Sequence, residues 1–147
     1  MIFQSAKPII QIAYTVKDVR QAAKIWSNKF NIGPFYVNEH IPLTNSYVRG
    51  VAEPFDHSSA YGWQENLMIE LICDHAEKLS PFAISPDKTF GGIHHVAWIA
   101  PDFEAECQEL ESQDCEQVLW AQNGNDTGMK LAWFDPQNGM NHFYEIY

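Results

Sequence analysis

Alternation of apolar and polar residues is clearest in four short stretches of the chain. Over 9–16, Ile10, Ile12, Tyr14 and Val16 share one face of an extended segment, and Gln11, Ala13 and Thr15 share the other. Over 66–73, Leu67, Ile69, Leu71 and Cys73 oppose Met68, Glu70 and Ile72. Val96 and Trp98 oppose His95, Ala97 and Ile99 within 93–100, and Tyr144 and Ile146 oppose Phe143, Glu145 and Tyr147 within 141–147. Four strands are predicted, each with a polar or ionisable residue (Gln11, Glu70, His95 or Glu145) on its second face. The period changes after the first and third of them. Behind Asp18, Val19, Ala22, Ala23, Trp26 and Phe30 recur at helical spacing, with Gln21 completing a capping-box start. Gly33 lies where a C-terminal glycine is expected. A second helix, capped by Asp102, carries Phe103, Cys107 and Leu110 on one face. Further extended segments are expected near 34–40, 47–63, 115–121 and 128–134.

The pattern repeats. Gln11-Ile-Ala-Tyr-Thr-Val-Lys-Asp18 aligns with His95-Val-Ala-Trp-Ile-Ala-Pro-Asp102, with His95 standing 84 residues after Gln11 (95 − 11). Met68-Ile-Glu70-Leu-Ile72 aligns with Phe143-Tyr-Glu145-Ile-Tyr147, in the same order. The chain therefore reads as one duplicated α+β domain over 1–147. Two tandem βαβββ modules, about 8–73 and 92–147, are expected to form curved mixed sheets around a central metal-binding cup. Pro81, Pro86, Gly91 and Gly92 punctuate the connection around the linker 74–91.

Composition narrows the partners. Nine Lys and Arg stand against nineteen Asp and Glu, a net charge of −10, which argues against binding a phosphate backbone. No stretch approaches the roughly 18–20 apolar residues of a membrane span. The first ten residues show no apolar signal-peptide core. Cys73, Cys107 and Cys115 are odd in number and lack CxxC spacing, which suits free thiols and a cytoplasmic protein.

If the helix-free faces of the two modules turn toward each other, Gln11, Glu70, His95 and Glu145 converge. Alone, each would be an ordinary solvated, salt-bridged or structural strand residue. At repeat-related positions they form a mixed nitrogen and oxygen set, suited to a divalent metal rather than to a thiolate site. Such a metal acts as a Lewis acid on a carbonyl oxygen, while a loosely held Glu exchanges protons with carbon. His94 falls on the opposite face by alternation, in a structural or exposed role. His57, Tyr61 and Trp63, in an extended stretch with Phe55 and Gln64, are candidates for a substrate pocket, as is Lys130. Trp98, Trp120 and Trp133 read as core, and Asn123-Gly-Asn-Asp126 as a turn.

These segments, with Phe30-Asn-Ile-Gly-Pro-Phe35 and Gly92-Ile-His-His-Val-Ala-Trp98, make the chain resemble the vicinal oxygen chelate superfamily. That superfamily includes glyoxalase I, methylmalonyl-CoA epimerase, extradiol dioxygenases and bleomycin-resistance proteins; this chain looks like a glyoxalase-like member. The resemblance implies metal ligands at Gln11, Glu70, His95 and Glu145, in an order similar to one class of glyoxalase I. It implies a divalent ion (Zn, Ni, Co, Mn or Fe) and a homodimer. The implied activity is that of an isomerase, epimerase or lyase acting on a small hydrophobic carbonyl compound. Enolate stabilisation would be served by Glu145 or Glu70 as catalytic base. Thr15 stands where glyoxalase I carries a basic residue, which counts against glutathione. Extradiol dioxygenases use two His and a carboxylate, whereas only His95 occupies a matched position here. The alternative is a metal-free, ligand-sequestering protein of the bleomycin-resistance kind, for which a charge of −10 would suit a cationic ligand.

Overall fold

The computed structural model describes residues 7–41, 43–54, 56–75, 92–123, 128–137, 139 and 141–147. Phe55, most of the linker 74–91 and most of the expected turn at 123–126 lie outside the described residues. Among the described residues twelve elements follow in chain order: β1 (Gln11–Thr15), α1 (Val19–Phe30), β2 (Tyr36–Asn38), β3 (Leu43–Val48), β4 (Val51–Ala52), β5 (His57–Gln64), β6 (Leu67–Asp74), β7 (Ile93–Trp98), α2 (Phe103–Ser112), β8 (Glu116–Asn123), β9 (Lys130–Asp135) and β10 (Phe143–Ile146). The result is an α+β fold, a mixed sheet with two helices. Both helices start where the side chains dictate. Asp18 accepts from the Gln21 amide at 2.9 Å, and Asp102 accepts from the Ala105 amide at 3.0 Å.

The ten strands form one sheet in the order β2-β5-β6-β1-β7-β10-β9-β8-β3-β4. Two parallel pairs, β1 with β6 and β7 with β10, meet where β1 runs antiparallel to β7. The helices cover one face. Val19 and Ala23 of α1 pack on Ala60, Ile69, Leu71 and Cys73, with Trp26 closing over Tyr14 at 5.0 Å between rings. Phe103, Cys107 and Leu110 of α2 pack on Trp98, Ala132, Phe134 and Ile146. The opposite face carries its own apolar layer, built around Ala13, Ile72, Leu119, Trp133 and Phe143.

Two expectations change. The α1 C-terminus is closed by Asn31, whose left-handed φ of 56° lets its amide donate to the Ser27 carbonyl at 3.1 Å, so Gly33 is not the cap. The long segment expected at 47–63 divides instead. Arg49 and Gly50 both have positive φ, 48° and 78°, as a two-residue hairpin turn with primed geometry requires. That turn folds β4 back on β3, and β3 pairs antiparallel with β8, across the sheet from β2, the strand that precedes it in sequence.

Gly62 on β5 shows how closely the helix side is packed. A Cβ there would lie 2.7 Å from two atoms of the Phe35 ring. The ring cannot bend away as a flexible chain would, so Gly62→Ala should destabilise the protein by about 1–3 kcal/mol. Urea unfolding of Gly62→Ala, and of the same variant combined with Phe35→Leu, checks this: the smaller partner should recover part of the loss.

Candidate metal centre

Gln11, Glu70, His95 and Glu145 come from β1, β6, β7 and β10, the four adjacent central strands. Register explains why their side chains meet. One row across these strands reads Glu70, Ala13, His95, Phe143, and the next reads Met68, Gln11, Ala97, Glu145. Residues directly opposite one another share a face. Ala13 and Ala97, both fully buried, contribute only methyl groups at the centre of this face, which leaves room for the four longer side chains to converge.

All four are buried, between 1% and 5% exposed. His95 Nε2 lies 2.7 Å from Glu145 Oε2, 3.1 Å from Gln11 Oε1 and 3.5 Å from Glu70 Oε2. Glu70, His95 and Glu145 offer ligand atoms that all lie within 4.8 Å of one another. Donors at about 2.0–2.2 Å from one divalent ion are separated by about 2.9 Å at right angles and about 3.4 Å in a tetrahedron. The observed separations bracket those values, and one imidazole with two carboxylates and an amide oxygen suits such an ion. The residues present therefore fit a divalent metal.

The surroundings orient the set. Tyr147 places its hydroxyl 2.8 Å from both Gln11 Oε1 and Glu145 Oε2. Gln11 Nε2 points to Met68 Sδ at 3.2 Å. His95 Nδ1 sits 2.8 Å from His94 Nδ1, which directs Nε2 to the carboxylates. His94 is fully buried, with its ring edge-on to Trp133 and Phe143, so the exposed role is excluded. Strict alternation misplaces it because Ala13 and Tyr14 pair with His95 and Ile93, leaving His94 as the extra residue of a bulge. A bulge re-aims a side chain in just this way.

Burial alone would lower the pKa of His95, but Glu145 and Glu70 outweigh it and raise it to about 9. Burial pushes the Tyr147 hydroxyl well above its usual range, reinforced by Glu145 and Glu70. Tyr61, opposite Glu70 on β5, is raised for the same reasons. Burial pulls His57 down to about 4 against the pull of Glu70 and Asp56, so its imidazole is neutral at neutral pH.

The set lies in a cavity of about 470 Å³, with Ile10, Ile41, Leu43, Ile72, Ile99 and Leu131 among its apolar walls. His57 and Tyr61 line it. Trp63 and Lys130 do not. Trp63 stands 43% exposed against the edge of Tyr36. Lys130 points away because its neighbours Met129 and Leu131 face the cavity; its ammonium instead pairs with Glu104 and lies 5.9 Å from the Phe103 ring centre. Trp133, read as core, stacks on His95 and forms part of the cavity wall. Tyr147 joins the site although only its alternation with Glu145 marks it in the sequence.

The description "Glyoxalase/Bleomycin resistance protein/Dioxygenase superfamily" matches residues 10–139. The chain belongs to this superfamily. No curated protein sequence matches it. Among solved structures, a hypothetical protein, BH1468, from Bacillus halodurans C-125 is 17% identical with a TM-score of 0.64, covering 97% of this chain and 94% of that one. Methylmalonyl-CoA epimerase from Mycobacterium tuberculosis is 17% identical at a TM-score of 0.62, covering 99% and 91%. A Streptomyces coelicolor methylmalonyl-CoA epimerase variant in complex with 2-nitronate-propionyl-CoA is 13% identical at 0.61, covering 97% and 96%. These similarities describe the fold. Among the described residues, no helix is long and apolar enough to cross a membrane.

The raised His95 pKa has a consequence for protein stripped of divalent ions. Its folded value of about 9 exceeds the ordinary 6.5, so the imidazolium stabilises the fold fully below pH 6.5. That contribution is lost as pH rises through 9. Urea unfolding of the stripped protein at pH 6, 7.5 and 9.5 should show the decline, and His95→Gln should flatten it.

Proposed function

We propose that this member of the superfamily is a divalent-metal-dependent enzyme of the glyoxalase type, an isomerase, epimerase or lyase. On this reading it moves a proton on the carbon beside a carbonyl group. The observation that carries the proposal is the convergence of two buried carboxylates, His95 and Gln11 on one apolar cavity. We also read residues 1–147 as one duplicated domain, its two βαβββ modules closing a cup around the metal. The strand order, which runs outward similarly from β1 and β7, supports that reading.

Gln11, Glu70, His95 and Glu145 would hold the ion. Bound there, it supplies Lewis-acid polarisation of a substrate carbonyl. The two carboxylates differ in their tethers. Glu145 Oε2 is held by both His95 and Tyr147, at 2.7 and 2.8 Å, whereas Glu70 stands 3.5 Å from His95 and is hydrogen-bonded with Tyr61 across the β5–β6 ladder. Glu145 is therefore the anchored ligand. Glu70, the carboxylate farther from His95, serves as the catalytic base, taking the proton from carbon and returning it. Tyr147 keeps its proton and holds Gln11 and Glu145 in place. Ile41, Leu43 and Leu131 receive the body of a small hydrophobic substrate and exclude water. No Lys or Arg is among the described residues lining the cavity, so an anionic handle such as those of glutathione or coenzyme A finds no cation there.

Three free thiols suit a reducing cytoplasm, where we place the protein. We take its working unit to be a homodimer, the state the family resemblance implies; light scattering reading twice the chain mass supports this, and the single mass refutes it.

Metal content and exchange of solvent deuterium into a panel of α-substituted carbonyl compounds test the central proposal. Glu145→Gln should lose the ion held in the cavity, one equivalent of metal per chain. Glu70→Gln should retain metal while exchange falls about 10²–10⁴-fold, the usual contribution of a positioned base. If both variants match the parent in metal and exchange, the assignment fails. Tight stoichiometric ligand binding by the metal-free protein, without exchange, would establish the sequestering alternative instead.

A further inference from the structure

A second group of metal-ligating side chains lies outside the cavity. His40 follows β2, Asp56 immediately precedes β5, and His75 immediately follows β6. They are distant in sequence, and topology brings them together. His57 at the start of β5 pairs with Asp74 at the end of β6, so the flanking Asp56 and His75 are neighbours across the ladder. His40 joins them because β2 is the other neighbour of β5. One nitrogen of each imidazole and one carboxylate oxygen all lie within 4.8 Å of one another.

The group is built rather than incidental. His40 Nδ1 and Asp56 Oδ2 are 2.7 Å apart, close to the edge length of about 2.9 Å between two donors of one ion held at about 2.0–2.1 Å. The two imidazole rings stack with centres 4.6 Å apart. The His75 amide donates to the Asp56 carbonyl at 3.1 Å. Ser58, 2% exposed, accepts from the His40 amide at 3.1 Å and meets His75 Nε2 at 2.7 Å through the same oxygen. A ring nitrogen held this way by a second group leaves the other nitrogen oriented for a metal. His40 itself has a left-handed φ of 52°, a conformation uncommon outside glycine though less so for His, Asn and Asp.

We infer that His40, Asp56 and His75 form a second, peripheral site for a divalent cation of borderline softness, of the zinc class. Two imidazole nitrogens and one carboxylate oxygen are the ligand types such ions select. All three side chains are exposed, so the remaining coordination positions are open to water. The site clips the chain beside the cavity. Ile41, next to His40, donates its amide to the His57 carbonyl, and both residues line the cavity wall. Loading it ties the wall segment between β2 and β3 to the ends of β5 and β6.

The inference stands independently of the interior site, and one set of zinc titrations on the full chain separates the two. Stripped protein titrated with zinc chloride should bind two equivalents. Glu145→Gln should lose the interior equivalent and keep the peripheral one. His40→Asn, which tolerates the left-handed backbone, should do the reverse, and the double variant should bind none. Ser58→Ala should weaken the peripheral equivalent roughly 10–100-fold. The thermal midpoint of Glu145→Gln should still rise with zinc, and that rise should vanish when His40→Asn is added. Asp56→Asn repeats the test without touching the His40 backbone. If His40→Asn and Asp56→Asn bind as much zinc as the parent with unchanged affinity, the peripheral site does not exist. If instead the parent binds one equivalent that Glu145→Gln keeps and His40→Asn loses, the peripheral site stands and the interior one falls.

Discussion

Two carboxylates buried beside a single imidazole impose the constraint on which the rest of this molecule is arranged. An unpaired buried charge costs several kcal/mol even after relaxation, and removing one partner of a buried pair costs about 3–5 kcal/mol. Glu70 and Glu145 therefore need partners in fixed positions. His95 between them, with Tyr147 on Glu145, supplies these within 3.5 Å. Two carboxylates beside one imidazole are a donor set that a divalent cation would balance. The raised pKa of His95 expresses that same demand for positive charge.

Such a group requires a rigid frame, and the sheet provides it. The four contributing strands are adjacent, and Ala13 and Ala97 clear the space between the side chains. A larger residue at either position would fill the centre and drive the carboxylates apart. The helices stay on the opposite face, so the packing of α1 and α2 never competes with the cavity for the same side chains. The apolar layer around Trp133 and Phe143 then backs the imidazoles directly, keeping water from His94 and His95.

The β3–β4 hairpin adds the other constraint. Its pairing with β8 carries a segment of the first half of the chain to the far edge of the sheet. In doing so it brings Ile41 and Leu43 to the cavity wall. The same connection holds His40 beside Asp56 and His75, so the substrate-sized cavity and the peripheral cluster share one stretch of backbone.

Much of this follows from local rules. Period-two alternation put Gln11, Glu70, His95 and Glu145 on helix-free faces, because side-chain direction in a strand depends only on parity. The capping residues Asp18 and Asp102 started both helices for equally local reasons. Parity failed at His94, where one extra residue in β7 re-aimed a side chain, and strand pairing rather than sequence decides where a bulge falls. It also could not exclude Trp63 and Lys130 from the cavity. Trp63 has the right parity but stands at the exposed rim, and Lys130 turns outward to Glu104. The hairpin's crossing to β8 and the meeting of His40, Asp56 and His75 depend on which strands become neighbours. The sequence alone determined the elements, their faces and the types of donor. Only the tertiary structure decided which donors come within bonding distance, because that separation is set by register and packing between segments far apart in the chain.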